Sequence, residues 1–175
     1  MIMRSGQQLL LPAKPLFIWV SLLAALLMNF VISTSVGREV WVPDIVALVL
    51  VFWVVHQPRR IGIGVAFVFG LFMDVQQSAL LGQHALSYTV MCFGAVAMHR
   101  RLLWFSVPSQ AVQVLPLFVT AHALQILVRL LSGAALPGVG ILLAPLLEAF
   151  LWPIVSIVLL APQRRAPDPD ANRPL

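Results

Sequence analysis

The sequence predicts an all-α integral membrane protein whose six transmembrane helices form one bundle. Hydrophobic residues make up 61% of the 175 residues, only 10% are charged, and the mean hydropathy is +0.97. A soluble domain has an apolar fraction nearer about 45–50%, so a soluble globule is excluded. The formal net charge of +5 comes largely from basic pairs between apolar runs. Such pairs are typical of membrane topology signals, and no nucleic-acid partner is expected.

Apolar runs divide the chain into six predicted spans within a single bundle at residues 1–160. The spans lie at about 16–36, 43–56, 61–75, 84–98, 105–131 and 139–160. The first is retained, because its apolar run is longer than that of a cleaved signal peptide and no A-x-A-like site follows it. The proline-rich segment 161–175 is predicted to be a disordered cytoplasmic tail.

The second and third spans have distinctive beginnings. Pro43 and Asp44 precede the second span; proline suits a first helical turn, and an acidic side chain complements the positive end of the helix dipole. Pro58, Arg59 and Arg60 precede the third span, which predicts that this helix enters the bilayer from a basic side.

Small residues recur along the third span at four-residue spacing and end at a carboxylate: Gly62, Ala66, Gly70 and Asp74. Residues at this spacing share one side of a helix, and small side chains let a second helix approach closely in lipid. About thirteen apolar residues cover roughly 20 Å of a ~30 Å hydrocarbon core, so Asp74 should face the bundle or a wet cavity. The stripe is either a packing seam or a contact with a partner helix.

The basic residues predict the topology. Arginine pairs at 59–60 and 100–101 lie on one side if spans three and four form a helical hairpin. Of the eleven Lys and Arg residues, all except Arg38 and Arg129 then lie on the side of the two termini, which predicts cytoplasmic termini. Trp19, Trp53 and Trp104 are expected at the cytoplasmic interface, as amphipathic belt residues.

A polar cluster is predicted inside the bundle. His122, Gln125 and Arg129 share one face of the fifth span, and Glu148 lies in the sixth. Depth arithmetic lets Glu148 meet His122 near mid-membrane, where the contact would neutralise a costly charge; the alternative is a protonated Glu148. Arg129 is expected to pair with Asp44 or Asp74, or to bind an anionic ligand or a lipid headgroup.

The sequence predicts neither an enzyme nor a cofactor or metal site. It has one cysteine, Cys92, no phosphate-cradling glycine loop and no Ser, His and Asp set at a common depth. His84 is expected in the loop opposite the basic side, as an interfacial histidine.

Four segments carry a resemblance to a known family: Pro43-Asp44, the run from Pro58-Arg59 through Gly64 to Asp74, Leu81-Gly82, and Trp152-Pro153. In these residues and in overall layout the chain resembles the MreD family of rod shape-determining proteins. The resemblance implies a bacterial inner-membrane protein of the cell-elongation complex that binds MreC. It also implies work alongside MreB, RodZ, RodA and the penicillin-binding transpeptidase of RodA. The family fold is similar to the substrate-binding component of vitamin-uptake (ECF-type) transporters.

Two functions follow as hypotheses. The first is a non-catalytic membrane scaffold that helps control rod shape and lateral peptidoglycan synthesis, as a monomer or a homodimer in membrane lipid. The second is a small-solute or lipid-binding subunit of a membrane transporter, suggested by the intramembrane polar residues. An intramembrane lipid enzyme is a weaker third, because no paired acids lie at one depth.

Overall fold

A computed structural model describes residues 13–35, 42–134 and 138–163. These residues form six α-helices: α1 (Pro15–Ser35), α2 (Ile45–His56), α3 (Ile63–Gln77), α4 (Gln83–Leu102), α5 (Val107–Leu131) and α6 (Leu143–Leu160). A 3-10 turn, Val139–Leu142, leads into α6, and another, Ala161–Gln163, continues from it. The all-helical fold is therefore confirmed, with helix ends close to the predicted ones.

Three helical segments are long and apolar enough to cross a membrane: Pro15–Ser35, Val107–Leu131 and Gly140–Gln163. Helices α2 and α3 are apolar but shorter, with 12 and 15 residues. The chain is thus a membrane protein by its helices, whereas six complete crossings stay a prediction.

Helix α2 lies at the centre of the bundle. Every residue from Val46 to Val55 is buried, and α1, α4 and α6 pack around the helix. A helix that is hydrophobic all round is a core helix or a lipid-facing span, and here it is the core. Because Trp53 lies in this central helix, it is fully buried, and it donates its indole N–H to Ser21 Oγ at 2.8 Å. The prediction of an interfacial Trp53 is therefore wrong, whereas Trp19 and Trp104 are exposed.

The predicted hairpin of α3 and α4 is present, and three of the four stripe residues lie in its seam; Gly62, the N-cap of α3, has no atom beyond its chain neighbours within 4 Å of an added Cβ. Ala66, Gly70 and Asp74 are buried, and α3 packs closely against α4. A Cβ atom placed on Gly70 would lie 2.5 Å from the backbone nitrogen of Ala85 and 2.7 Å from the carbonyl carbon of His84. At Gly70 the stripe therefore packs against α4 of this chain. Because Gly70 is covered there, it cannot contact a partner helix, which was the other predicted role.

Successive helices run in opposite directions, which gives the bundle two distinct ends. The connections 57–62 and 103–106 lie at one end, named here the basic end because Arg59 and Arg60 lie in the first connection and Arg100 and Arg101 directly precede the second. The turn 78–82, the end of α5 and the start of α6 lie at the opposite end, named the cavity end. Some predicted features, Arg38 and most of the leader and tail, lie outside the described residues.

We predict that Gly70→Ala destabilises the bundle, because the added methyl group overlaps the backbone of α4. The melting temperature of the purified chain in detergent should fall by several degrees. Gly64→Ala is the matched control: it lies in the same helix, no atom outside the backbone of its own helix and its chain neighbours lies within 4 Å of the added Cβ, and alanine is favoured in helices by about 1 kcal/mol over glycine. Equal melting temperatures for the two variants would contradict the close approach of α3 and α4.

Candidate functional site

A polar cavity of about 440 Å³ opens at the cavity end of the bundle. The last turns of α1, α3 and α5 and the first turns of α2 and α4 form its wall. Its polar lining residues are Asn29, Ser33, Asp44, Gln77, Ser78, Gln83, His84, His122, Gln125, Arg129 and Ser132. The predicted inward face of α5 is therefore part of this wall, since His122, Gln125 and Arg129 all line it.

Asp44 connects the start of α2 to two other helices. It is the N-cap of α2, and its Oδ1 accepts hydrogen bonds from Ala47 N at 3.1 Å and from Asn29 Nδ2 at 2.8 Å. Its Oδ2 accepts from the Tyr88 hydroxyl. Asn29 also accepts from Ile45 N at 3.0 Å. Because the first turn of a helix leaves its N–H groups without intrahelical partners, these contacts stabilise a helix end inside the bundle.

Glu148 joins α6 and α5 to the same centre. Its Oε1 accepts from the backbone N–H of Asp44 at 2.9 Å and lies 2.9 Å from His122 Nε2. The contact between Glu148 and His122 was predicted from the rise per residue of the two helices, which places both side chains at a similar depth. Glu148 is fully buried, and its Oε2 has no hydrogen-bond partner among the described residues. The alternative of a protonated Glu148 therefore stays open beside the His122 contact.

Asp74 fastens the hairpin of α3 and α4. Its carboxylate accepts from the backbone N–H groups of Gly82 at 2.8 Å, His84 at 2.7 Å and Ala85 at 3.4 Å, and lies 2.8 Å from His84 Nδ1. An anion at a helix N-terminus is favoured by the helix dipole. Asp74 faces the bundle as predicted, but His84 is buried in the first turn of α4 and is not a loop histidine.

Arg129 lies in the last turn of α5 and has no ion pair among the described residues. The two ion-pair contacts found there join Asp74 to His84 and Glu148 to His122. The predicted pairing of Arg129 with Asp44 or Asp74 is therefore wrong, because both carboxylates are held by other donors. Among the described residues the guanidinium therefore lies on the cavity wall without an ion pair.

The residues that carry the family resemblance lie at helix starts, in the core or at the basic end of the bundle. Gly82 has a φ of 100° at the start of α4, a conformation that favours glycine. Trp152 is fully buried beside Phe52 and Phe118 and donates to Gln110 Oε1 at 3.2 Å. The others occupy helix starts and the basic end: Pro43 on the cavity wall, Gly62 as N-cap of α3, Gly64 in its first turn, Pro58 and Arg59 in the connection before it, and Pro153 within α6.

Sequence reasoning missed Asn29 and Tyr88, which connect α1 and α4 to Asp44. Asn29 continues the buried side of α1 formed by Leu22 and Ala25, and Tyr88 is fully buried. A signal was available for Asn29, since an amide in the middle of an apolar span needs a partner inside the bundle. Tyr88, the single tyrosine of the chain, gave no comparable signal.

The polar groups around Asp44, Asp74 and Glu148 mainly make hydrogen bonds that hold helices together. Asp44 and Asp74 each accept at least two hydrogen bonds from their own chain, and Glu148 accepts one from the backbone N–H of Asp44 and contacts His122. Within the described ranges no group of three or more His, Cys, Asp or Glu residues could hold a metal ion. The polar side chains that are open to a ligand, among them those of Gln125 and Arg129, lie on the cavity wall.

Comparisons with known proteins point to one family. The sequence model of the family described as "rod shape-determining protein MreD" matches residues 13–162. The chain is 26% identical over 154 residues to the rod shape-determining protein MreD of Haemophilus influenzae, a match covering 84% of this chain and 93% of that protein. No solved structure matches. The likeness to a vitamin-transporter component therefore stays a prediction.

We predict that Asp44 and Tyr88 are energetically coupled. Asp44→Asn and Tyr88→Phe should each lower the free energy of unfolding by about 1–3 kcal/mol, because each disrupts a buried hydrogen bond. The double variant should lose less than the sum of the two. Reversible unfolding in mixed detergent micelles measures these differences.

Ser21→Ala is the control for this cycle. It removes the hydrogen-bond acceptor of Trp53, which lies near the C-terminal end of α2, whereas Asp44 lies at the N-terminal end. Its effect should add to that of Tyr88→Phe within about 0.5 kcal/mol. Simple additivity for Asp44 and Tyr88 as well would refute the coupling.

Proposed function

Because the chain belongs to the MreD family and so has a role in rod-shape determination, we propose that it is a non-catalytic scaffold of the bacterial cell-elongation complex. In this role it binds MreC, and through the complex it works with MreB, RodZ, RodA and the penicillin-binding transpeptidase of RodA. The observation that carries the proposal is that the carboxyl groups of Asp44, Asp74 and Glu148 hold the chain's own helices together. These carboxyl groups stabilise the bundle itself, and we expect partner helices to bind its exposed apolar faces.

The proposal includes six membrane crossings, with the basic end and both termini in the cytoplasm. The antiparallel order of the helices and the arginines at the basic end support it. Two of the helices, α2 and α3, are about 18 and 22 Å long, shorter than a ~30 Å hydrocarbon core. The polar cavity above the short central helix offers water to the groups that would otherwise lie in lipid.

Partner helices are expected on the exposed apolar sides of the bundle. The seam side of α3 is covered by α4, so the side that remains is the one with Phe67, Phe72 and Val75, which are 48–71% exposed. Helices α1, α5 and α6 also expose large apolar side chains, among them Leu27 and Ile157. In lipid such surfaces associate by close packing and by occasional polar contacts, without a hydrophobic driving force.

We predict that photo-crosslinking in cells captures MreC from an exposed position. A photoreactive residue is placed in turn at Leu27, Phe67, Phe72 and Ile157 of the full chain, in a rod-shaped bacterium that lacks its own MreD. Met73, fully buried beside Phe72, is the matched control and should capture no partner. Each variant must first restore rod shape.

Capture of MreC from at least one exposed position, with none from Met73, would support the scaffold. A charged substitution at the capturing position should then produce round cells while the chain remains in the membrane. If no exposed position captures MreC although rod shape is restored, the proposed contact is wrong.

A second candidate is a solute- or lipid-binding subunit of a membrane transporter. The observation in its favour is the polar cavity of about 440 Å³, which falls in the range of small-molecule sites. This candidate requires that uptake of a solute depend on the chain. The scaffold requires no transport, so cells with normal rod shape and a specific uptake defect would favour the second candidate.

A further inference from the structure

We infer that the cavity is a binding site for an anionic group, a phosphate or a carboxylate, which pairs with Arg129. The inference goes beyond the scaffold function and does not depend on it, since a bound anion needs neither MreC nor transport. It rests on the balance of free hydrogen-bonding groups on the cavity wall, on the size of the cavity and on the position of Arg129.

The negative charges near the cavity are already satisfied or hidden. The side chains of Asp74 and Glu148 are at most 1% exposed, and neither lines the cavity. Asp44 does line it, but both of its oxygens accept hydrogen bonds from Asn29, Ala47 or Tyr88. Asp44 is therefore the one carboxylate on the described cavity wall, and its two oxygens already accept three hydrogen bonds, whereas the guanidinium of Arg129 donates none to a described residue.

Arg129 supplies the free positive charge. It lines the cavity, and no carboxylate among the described residues pairs with it. A guanidinium presents several N–H groups in one plane, a geometry that matches phosphate and carboxylate through two parallel hydrogen bonds. The end of α5 also favours a cation at this position, but this dipole effect leaves the N–H groups of the side chain unused.

Gln83 is an independent indication that the cavity receives a ligand. It lies in the first turn of α4, is 6% exposed, and lines the cavity. Its side-chain amide has no hydrogen-bond partner in the described part of the chain. Buried amides are normally paired, so this group is available for a ligand inside the cavity. Gln83 and Arg129 come from different helices, α4 and α5, which places free donors on two sides of the space.

The volume fits more than a single ion. About 440 Å³ corresponds to roughly fifteen water molecules at about 30 Å³ each. A phosphate carrying a small polar group, as in a glycerophosphate lipid headgroup, fits this space, and so does free phosphate with water. Both share the phosphate that Arg129 would bind, and an experiment can distinguish them.

The test uses the full chain, purified in detergent and depleted of phospholipid. Its melting temperature is measured with sodium phosphate against sodium chloride at equal ionic strength, and in mixed micelles with phosphatidylglycerol against phosphatidylcholine. A ligand that binds the folded chain raises the melting temperature in a concentration-dependent way. We expect stabilisation by phosphatidylglycerol, by phosphate or by both, and none by phosphatidylcholine.

Arg129→Gln should weaken the apparent affinity at least tenfold, and Arg129→Lys should give an intermediate value because it keeps the charge without the planar fork. Arg101→Gln, an exposed arginine at the basic end, is the matched control and should bind like the unmodified chain. Gln83→Ala should also weaken binding, so the inference stays testable if an Arg129 variant does not fold.

The outcomes separate the sources of the anion and the possible errors. Stabilisation by free phosphate as well as phosphatidylglycerol means that the phosphate group suffices, whereas phosphatidylglycerol alone means a lipid headgroup. Equal stabilisation by phosphatidylcholine, no stabilisation by either phosphate compound, or equal losses in Arg129→Gln and Arg101→Gln would overturn the inference. None of these results bears on MreC capture, so the scaffold proposal is tested separately.

Discussion

The rest of the structure depends on one constraint, the need to satisfy the N-terminal end of α2 inside the bundle. This helix has 12 residues, and every residue from Val46 to Val55 is buried, so its first N–H groups need acceptors from the protein at the base of the cavity. Asp44, Asn29 and Glu148 supply the acceptors for three of these N–H groups. Because the acceptors come from α1, from α6 and from the turn before α2, satisfying one helix end fixes the relative positions of three helices.

The same solution recurs at the start of α4. Asp74 of α3 accepts hydrogen bonds from three backbone N–H groups there, and Gly82 provides the backbone conformation that brings them to the carboxylate. Both carboxylates thus act as anionic caps for helix ends inside the bundle. In lipid an unsatisfied backbone group costs several kcal/mol, so these caps are strong determinants of the fold.

Short helices have a second consequence, a polar cavity at one end of the bundle. At the end of the bundle where α2 begins and α3 ends, the longer α1 and α5 continue, and the space is lined by amides, histidines, Asp44 and Arg129. The outer faces of α1, α3, α5 and α6 remain apolar. The molecule therefore separates its polar interior, suited to a small anionic ligand, from apolar sides suited to partner helices. A scaffold that also holds a lipid headgroup would use both surfaces at once.

By itself the sequence determined the all-helical membrane class, the approximate helix bounds, the hairpin of α3 and α4, and the inward-facing Asp74. Composition and the spacing of small and polar residues suffice for these features, because they depend on local periodicity and on the cost of charge in lipid. It also predicted the contact between His122 and Glu148, since helix rise fixes depth. Only the tertiary structure decided that α2 is the centre of the bundle, that Trp53 is buried, and that Arg129 pairs with neither Asp44 nor Asp74. An apolar side chain in a membrane protein can face either the core or the lipid, and a carboxylate can bind any of several donors at a similar depth. Only the packing of the helices determines which of these contacts forms.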